Sequence, residues 1–178
     1  MSISKKQQIR SLKEVSCVVT GGGGFLGSCL VEQLLQQEAS VLAIDSSIAS
    51  CSQTSGQNSR LLRMNLDLRD LEPLQKAIHD FSPEIIFHLA CCPDGQETFE
   101  QIKSSVNQNL FLTINSLEAF SKSLNNQLFV YGDSVKVYGN GPVPYRETLA
   151  PNPNSSYAIG KHAGWLYCRL YYALFGTR

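Results

Sequence analysis

The segment Thr20-Gly21-Gly22-Gly23-Gly24-Phe25-Leu26-Gly27 constrains this chain more than any other. It follows a short β-rich run, Val15–Thr20, and precedes a stretch with apolar residues at Leu26, Leu30, Val31, Leu34 and Leu35. That spacing puts one stripe on one helix face. Gly21, Gly24 and Gly27 therefore occupy a strand-to-helix turn at the spacing GxxGxxG. The first permits a tight turn, the second lets the backbone approach a pyrophosphate, and the third lets helix pack closely on strand. The helix N-terminus adds free N–H groups and the positive end of a dipole, which suit phosphate oxygens. Four successive glycines alone would suit a flexible linker equally well. The flanking strand and amphipathic helix favour the nucleotide reading.

The alternation of strand and helix continues. Val41–Asp45 reads as a second strand, Cys51–Ser59 as a polar loop and Leu61–Leu66 as a weaker third strand. Leu71, Leu74, Ile78 and Phe81 mark a helix ended by Ser82-Pro83. Glu84–Ala90 is a continuous apolar strand of the kind covered on both faces. Val106, Leu110, Thr113, Ile114 and Leu117 predict a helix over Ser105–Phe120, Gln127–Tyr131 a fifth strand, and Tyr157–Phe175 a last helix after a Pro-, Gly- and Asn-rich loop at 139–154. This order predicts an α/β fold, a doubly wound parallel sheet of Rossmann type with ligands at the C-terminal strand ends. Residues 1–14 read as a polar lead-in and residues 15–178 as one nucleotide-binding domain.

Composition narrows the function classes. Lys plus Arg equals Asp plus Glu at 15 each, which excludes the chain as a whole from acting as an electrostatic binder of nucleic acid or anionic membrane. The longest apolar stretch, Ile85 to Cys92, is broken by His88 and falls far short of the ~20 residues of a spanning helix. Cys17, Cys29, Cys91, Cys92 and Cys168 fall within or at the ends of the predicted elements, and Cys51 in a loop. With no CxxC pair and no Cys/His cluster at zinc spacing, the expectation is reduced thiols in a cytoplasmic protein without a metal centre.

Asp45 ends the second predicted strand. A carboxylate there accepts both ribose hydroxyls of an adenosine and repels a 2′-phosphate, which favours NAD over NADP as cofactor. Tyr157 and Lys161 stand four apart on a predicted helix and so share a face. A free tyrosine, with a pKa of ~10, is a poor base near neutrality. A nearby cation favours the phenolate, so Tyr157 beside Lys161 can act as general base for an alcohol and as general acid in reverse. The plainer alternative is a solvated helix face. Gly160 and Gly164 interrupt this helix at a cost of about 1 kcal/mol each relative to alanine, a cost explained by close approach of a cofactor or a neighbouring helix. His88 and His162 read as structural, Met64 as core, and Trp165, Tyr167, Tyr171 and Tyr172 as packing a helix face.

These ordered motifs resemble the extended short-chain dehydrogenase/reductase family, in its branch of NAD-dependent sugar-nucleotide epimerases and dehydratases. TGGGGFLG resembles the family's TGGxGFxG loop and brings in Phe25 and Leu26 beside the glycines. Asn65-Leu66-Asp67-Leu68-Arg69-Asp70 looks like its GDLRD segment, which implies adenine contacts at Asp67 and Leu68. His88-Leu89-Ala90 looks like its HLA strand end, implying a cofactor-ribose contact at Ala90. Asn109 stands where the family has a helix asparagine that shapes the site. Val137-Tyr138-Gly139 resembles the VYG signature, which implies Ser134 as the catalytic hydroxyl, and Tyr157 and Lys161 match YxxxK. The resemblance implies that Ser134 binds the reacting oxygen, that Lys161 also holds the nicotinamide ribose, and that NAD carries the hydride. It also implies a homodimer contact through the helix at 157–175.

Three departures bear on function. The family continues past the YxxxK helix into a further strand and a C-terminal substrate domain, which this chain lacks; a complementing C-terminal half is the expected partner. Val135 and Lys136 stand where the dehydratases carry an Asp-Glu pair and the decarboxylases keep a glutamate. Elimination and decarboxylation are thereby disfavoured, and 4-epimerisation of a nucleotide sugar, as in UDP-glucose 4-epimerases, fits what remains. Gly132-Asp133 replaces small hydroxyl residues before Ser134, and Asp133 raises the Tyr157 pKa if it faces the site. The competing readings are a cofactor-binding module without turnover, one half of a split enzyme, and a reductase or dehydrogenase of the same family. Apolar surface left open by the absent half predicts self-association.

Overall fold

A computed structural model describes residues 11–47, 59–92, 97–123, 125 and 127–177. Most of the polar lead-in and of the loop at 51–59, with Cys51, lies outside the described residues. Five strands form one sheet: β1 (Ser16–Thr20), β2 (Ser40–Asp45), β3 (Leu61–Asn65), β4 (Ile85–His88) and β5 (Leu128–Tyr131). Their order is β3-β2-β1-β4-β5, and every pairing is parallel. The register sets Thr20 beside Ile44 on one side and His88 on the other, and His88 beside Tyr131. The strands' C-terminal ends thus share one sheet edge. The order reverses at β1, between β2 and β4, and there the crevice opens that such sheets use for ligands.

Alternation along the strands builds two cores. Val18, Leu42, Ile44 and Ile86 face Leu74 and Ile78 of α2 (Leu71–Phe81) and Leu117 and Phe120 of α4 (Leu112–Ser121). Cys17, Val19, Val41 and Ala43 face Val31 and Leu34 of α1 (Phe25–Gln36) on the other side. Tyr167, Cys168 and Tyr171 of α5 (Ser156–Phe175) pack against the first core. Helix α2 ends at Ser82, in the left-handed region at φ 49°, just before Pro83.

The structure corrects two expectations here. Met64 is not core: β3 is an edge strand, and Leu62 and Met64 stand exposed. The helix expected over 105–120 begins earlier, with α3 (Phe99–Ser105), and runs through a π-helical stretch, Val106–Phe111, into α4. A π turn has one more residue per hydrogen-bonded ring than an α turn and recurs at functional sites; here it carries the buried Asn109.

Candidate active site

Gly21 lies at φ 72°, and a Cβ there would stand 2.8 Å from the Ala90 nitrogen. A Cβ on Gly27 would overlap the Gly21 carbonyl oxygen. These two contacts explain why glycine is needed where β1 turns into α1, against the end of β4. Gly24 caps α1 with no side-chain hydrogen bond, and the first turn has no acidic residue. The helix therefore presents its first amides to whatever occupies the crevice. Phe25 and Leu26 are 84% and 67% exposed on this first turn.

A cavity of about 400 Å³ opens in front of the loop. Gly21, Gly24, Phe25, Leu26 and Gly27 line it on one side, Asp45, Asp67 and Leu68 on another, and Ala90 and Cys91 close its far end. The structure thus brings to one cavity all the sequence-predicted cofactor residues that precede Asn109. The Asp45 carboxylate accepts the Gly23 N–H at 3.1 Å on one oxygen and the Ser47 N–H and hydroxyl, at 2.9 and 2.8 Å, on the other. It ties the glycine loop to the end of β2. The Arg69 guanidinium grips Asp67, its Nε 2.9 Å from Oδ2, and holds that carboxyl below its ordinary range.

Asn109, Tyr157 and Lys161 do not line this cavity. Asn109 is a positioning residue: its Oδ1 accepts the Cys92 N–H at 3.0 Å and its Nδ2 donates to Ser105 Oγ at 3.0 Å. It thereby fixes the segment after Ala90. Cys91, which lines the cavity, and Ser134 both act on Tyr157, Ser134 lowering its pKa and Cys91 raising it. Cys91, a residue sequence reasoning passed over although it directly follows Ala90, thus belongs both to the cavity lining and to the surroundings of Tyr157.

Ser134 and Tyr157 come from different elements. Ser134 precedes a 3₁₀ turn, Val135–Tyr138, and its Oγ accepts the Lys136 N–H at 3.3 Å. Tyr157 opens α5, whose N-cap Ser155 accepts the Ala158 N–H. Lys161 is buried one turn later, with its ammonium 4.4 Å from the centroid of the Tyr131 ring. Gly160 has the neighbouring-helix explanation, since a Cβ there would meet Asn109 Cβ at 3.2 Å, whereas a Cβ at Gly164 would meet first Tyr131 of β5, its Cζ at 2.9 Å, and then Thr113 of α4 at 3.3 Å.

The electrostatics differ from the expectation of a lowered tyrosine. Burial raises the Tyr157 pKa, Cys91 and Asp133 raise it further, and only the Ser134 hydrogen bond opposes them. Lys161 is not among the groups acting on Tyr157, and burial lowers its own pKa. The Asp133 carboxylate accepts the Ser134 N–H at 2.8 Å and acts on Tyr157, Tyr131 and Lys161.

His88 is wholly buried beneath this arrangement and is structural. Thr113 donates to the Asn109 carbonyl at 2.9 Å, so its oxygen accepts from His88 Nε2 at 3.1 Å. His88 Nδ1 then accepts the Thr20 hydroxyl at 2.8 Å, and Thr20 Oγ1 accepts the Ala90 N–H at 3.4 Å. This relay links the π turn to the ends of β1 and β4.

The reversed strand order, the glycine cradle and the acid at the end of β2 define a Rossmann-type nucleotide-binding protein with a Ser–Tyr–Lys set beside the cavity. The chain belongs to the NAD dependent epimerase/dehydratase family, whose model matches residues 17–178. It is 30% identical over 162 residues to a UDP-glucose 4-epimerase of Mycolicibacterium smegmatis, covering 89% of this chain and 51% of that protein. Its fold matches the UDP-glucuronic acid 4-epimerase of Bacillus cereus, solved with UDP-glucuronic acid and NAD, at a TM-score of 0.81 and 27% identity, covering 91% of this chain and 54% of the other. The UDP-glucose 4-epimerase of Thermotoga maritima, solved with UDP-glucose, gives 0.78 and 25% over 91% and 52%. The chain spans about half the length of the curated relatives it matches. No helix among the described residues is long and apolar enough to cross a membrane, and no described His/Cys/Asp/Glu group is arranged to hold a metal ion.

Proposed function

We propose that this chain is the NAD-binding half of a nucleotide-sugar 4-epimerase. The observation that carries the reading is that Cys91 both lines the glycine-lined cavity and acts on Tyr157, the residue on which Ser134 also acts. The residues present fit the cofactor. The α1 amides and Gly21, Gly24 and Gly27 would hold the pyrophosphate, Asp45 the adenosine ribose, Asp67 and Leu68 the adenine edge, and Ala90 and Lys161 the far ribose. NAD, when bound, supplies the hydride acceptor and donor. Ser134 donates to the reacting sugar oxygen and holds it against Tyr157. Tyr157 takes the hydroxyl proton as the carbon is oxidised and returns it on reduction. Burial raises the Tyr157 pKa and lowers that of Lys161, so each shift favours the neutral form.

The partners follow the same reading. Ile159, Leu166 and Leu170 stand exposed along the outer side of α5, which supports self-association through the helix at 157–175. A C-terminal half, supplied by another polypeptide or by further chain, would add contacts to the nucleotide of the substrate. Cys17, Cys29, Cys91, Cys92 and Cys168 are free thiols, in keeping with the cytoplasm. The half-length match supports a second reading, a cofactor-binding module without turnover.

The test is interconversion of UDP-glucose and UDP-galactose, with NAD supplied, by the native chain and by Tyr157→Phe. Epimerisation that falls by ~10²-fold or more in the variant supports the enzyme reading. No turnover by a chain that binds NAD supports the module instead.

A further inference from the structure

Lys136 places at the mouth of the site a cation that the proposed chemistry leaves unused. It stands on the 3₁₀ turn immediately after Ser134, and its own N–H is bonded to Ser134 Oγ. Its ammonium lies 5.6 Å from the centroid of the Tyr157 ring. The residue is exposed, and no described acid forms an ion pair with it.

The two lysines of the site are not equivalent. Lys161 is buried on the inner side, over Tyr131. Asp133 acts on Tyr157 as well as on Tyr131, Lys161 and Cys168, and its carboxylate is engaged by the Ser134 N–H. Lys136 is exposed and stands over the Tyr157 ring. A sugar whose reacting oxygen sits between Ser134 and Tyr157 would have this ammonium beside it, on a flexible stem, within reach of a substituent on the adjoining ring carbon. An ammonium is strongly hydrated and yields its water most readily to an anion. A hydroxymethyl group would gain little there. A carboxylate would form a charge-assisted hydrogen bond next to an aromatic face that excludes water.

We infer that Lys136 selects nucleotide sugars in which the carbon next to the reacting ring carbon bears a carboxylate, that is, hexuronates. The inference rests on the epimerase-type reading of Ser134 and Tyr157 and deepens it to a substrate class.

The experiment titrates the NAD-loaded chain with UDP-glucuronate and with UDP-glucose by calorimetry, for the native protein, Lys136→Met and Lys136→Glu. The two sugars differ in the carboxylate alone, so the nucleotide contribution cancels. UDP-glucuronate is expected to bind roughly tenfold tighter to the native chain, the scale of one charge-assisted hydrogen bond. Lys136→Met should bring the two sugars to parity, and Lys136→Glu should reverse the preference, a change of sign that a merely structural role would not produce. Equal binding by the native chain, a preference unaltered in Lys136→Met, or failure of both sugars to bind a chain that holds NAD overturns the inference. The unaltered chain is first titrated with NAD alone; failure there overturns the underlying cofactor reading, and the inference with it.

Discussion

Tyr131 and Lys161 hold each other at both ends: the Tyr131 hydroxyl donates to the Lys161 carbonyl at 3.0 Å, and the Lys161 ammonium lies 4.4 Å from the centroid of the Tyr131 ring. One contact fixes α5 against β5; the other aims the buried cation. Tyr131→Phe removes only the first and should cost about 1 kcal/mol in urea unfolding, the net scale of one hydrogen bond. Tyr131→Leu removes both and should also weaken NAD binding well beyond the Phe variant. Equal NAD affinity in the two variants would show that the ring does not position Lys161.

The same tyrosine makes Gly164 a packing residue. A Cβ at 164 would overlap the Tyr131 hydroxyl, whereas one at Gly160 would press on Asn109 Cβ at 3.2 Å. Gly164→Ala should therefore destabilise by ~1–3 kcal/mol, the cost of overpacking, despite the ~1 kcal/mol that alanine contributes to helix propensity. Gly160→Ala should lie near neutral. Urea midpoints of the two variants check the order, and a stabilising Gly164→Ala would contradict the packing described.

His88 makes the fold acid-sensitive. Burial first, and the Lys161 charge second, press its pKa from 6.5 down to about 3. Between those values the unfolded chain binds a proton that the folded chain refuses. Stability is thus unaffected above the unfolded pKa and falls as pH drops below it, with a slope approaching ~1.4 kcal/mol per pH unit. The carboxylates held low, Glu38, Asp67 and Asp80, lose their contribution only at more acid pH, below the ordinary carboxylate values. Unfolding at pH 7 and pH 5 should show a marked loss in the native chain and a flatter response in His88→Gln, which keeps hydrogen-bonding groups between Thr20 and Thr113.

Asp45 serves the loop and the cofactor together. Asp45→Ala removes the acceptor of the Gly23 and Ser47 hydrogen bonds and the negative charge from the cavity. The expected outcome is a loss of ~1–2 kcal/mol in stability and a marked fall in the preference for NAD over NADP, read by titration with each. A preference left intact would place cofactor selection elsewhere.

The parts of this architecture that depend on local chemistry were legible in the residues. Apolar runs and Gly/Pro punctuation placed all five strands within a residue or two, and the glycine spacing placed the cradle. The misses come from tertiary context. Met64 lies in an apolar run, and only the strand order shows that β3 is an edge. The π turn at 106–111 adds too little to helical periodicity over six residues to be seen in spacing. Cys91 and Tyr131 act through residues far away in the chain, so no motif marks them. The upward shift of Tyr157 arises because burial, Cys91 and Asp133 converge on it, while its sequence neighbour Lys161 turns to another ring.

The central claim is that the glycine-lined cavity binds NAD. Thermal unfolding of the 178-residue chain with NAD, and separately with NADP, tests it most directly. A ligand that binds only the folded state should add about 2.7 kcal/mol at one hundred times its dissociation constant, roughly 5–10 °C for a domain of this size. A shift of that order with NAD and little with NADP is the predicted result. A folded chain whose unfolding neither nucleotide moves would contradict the account.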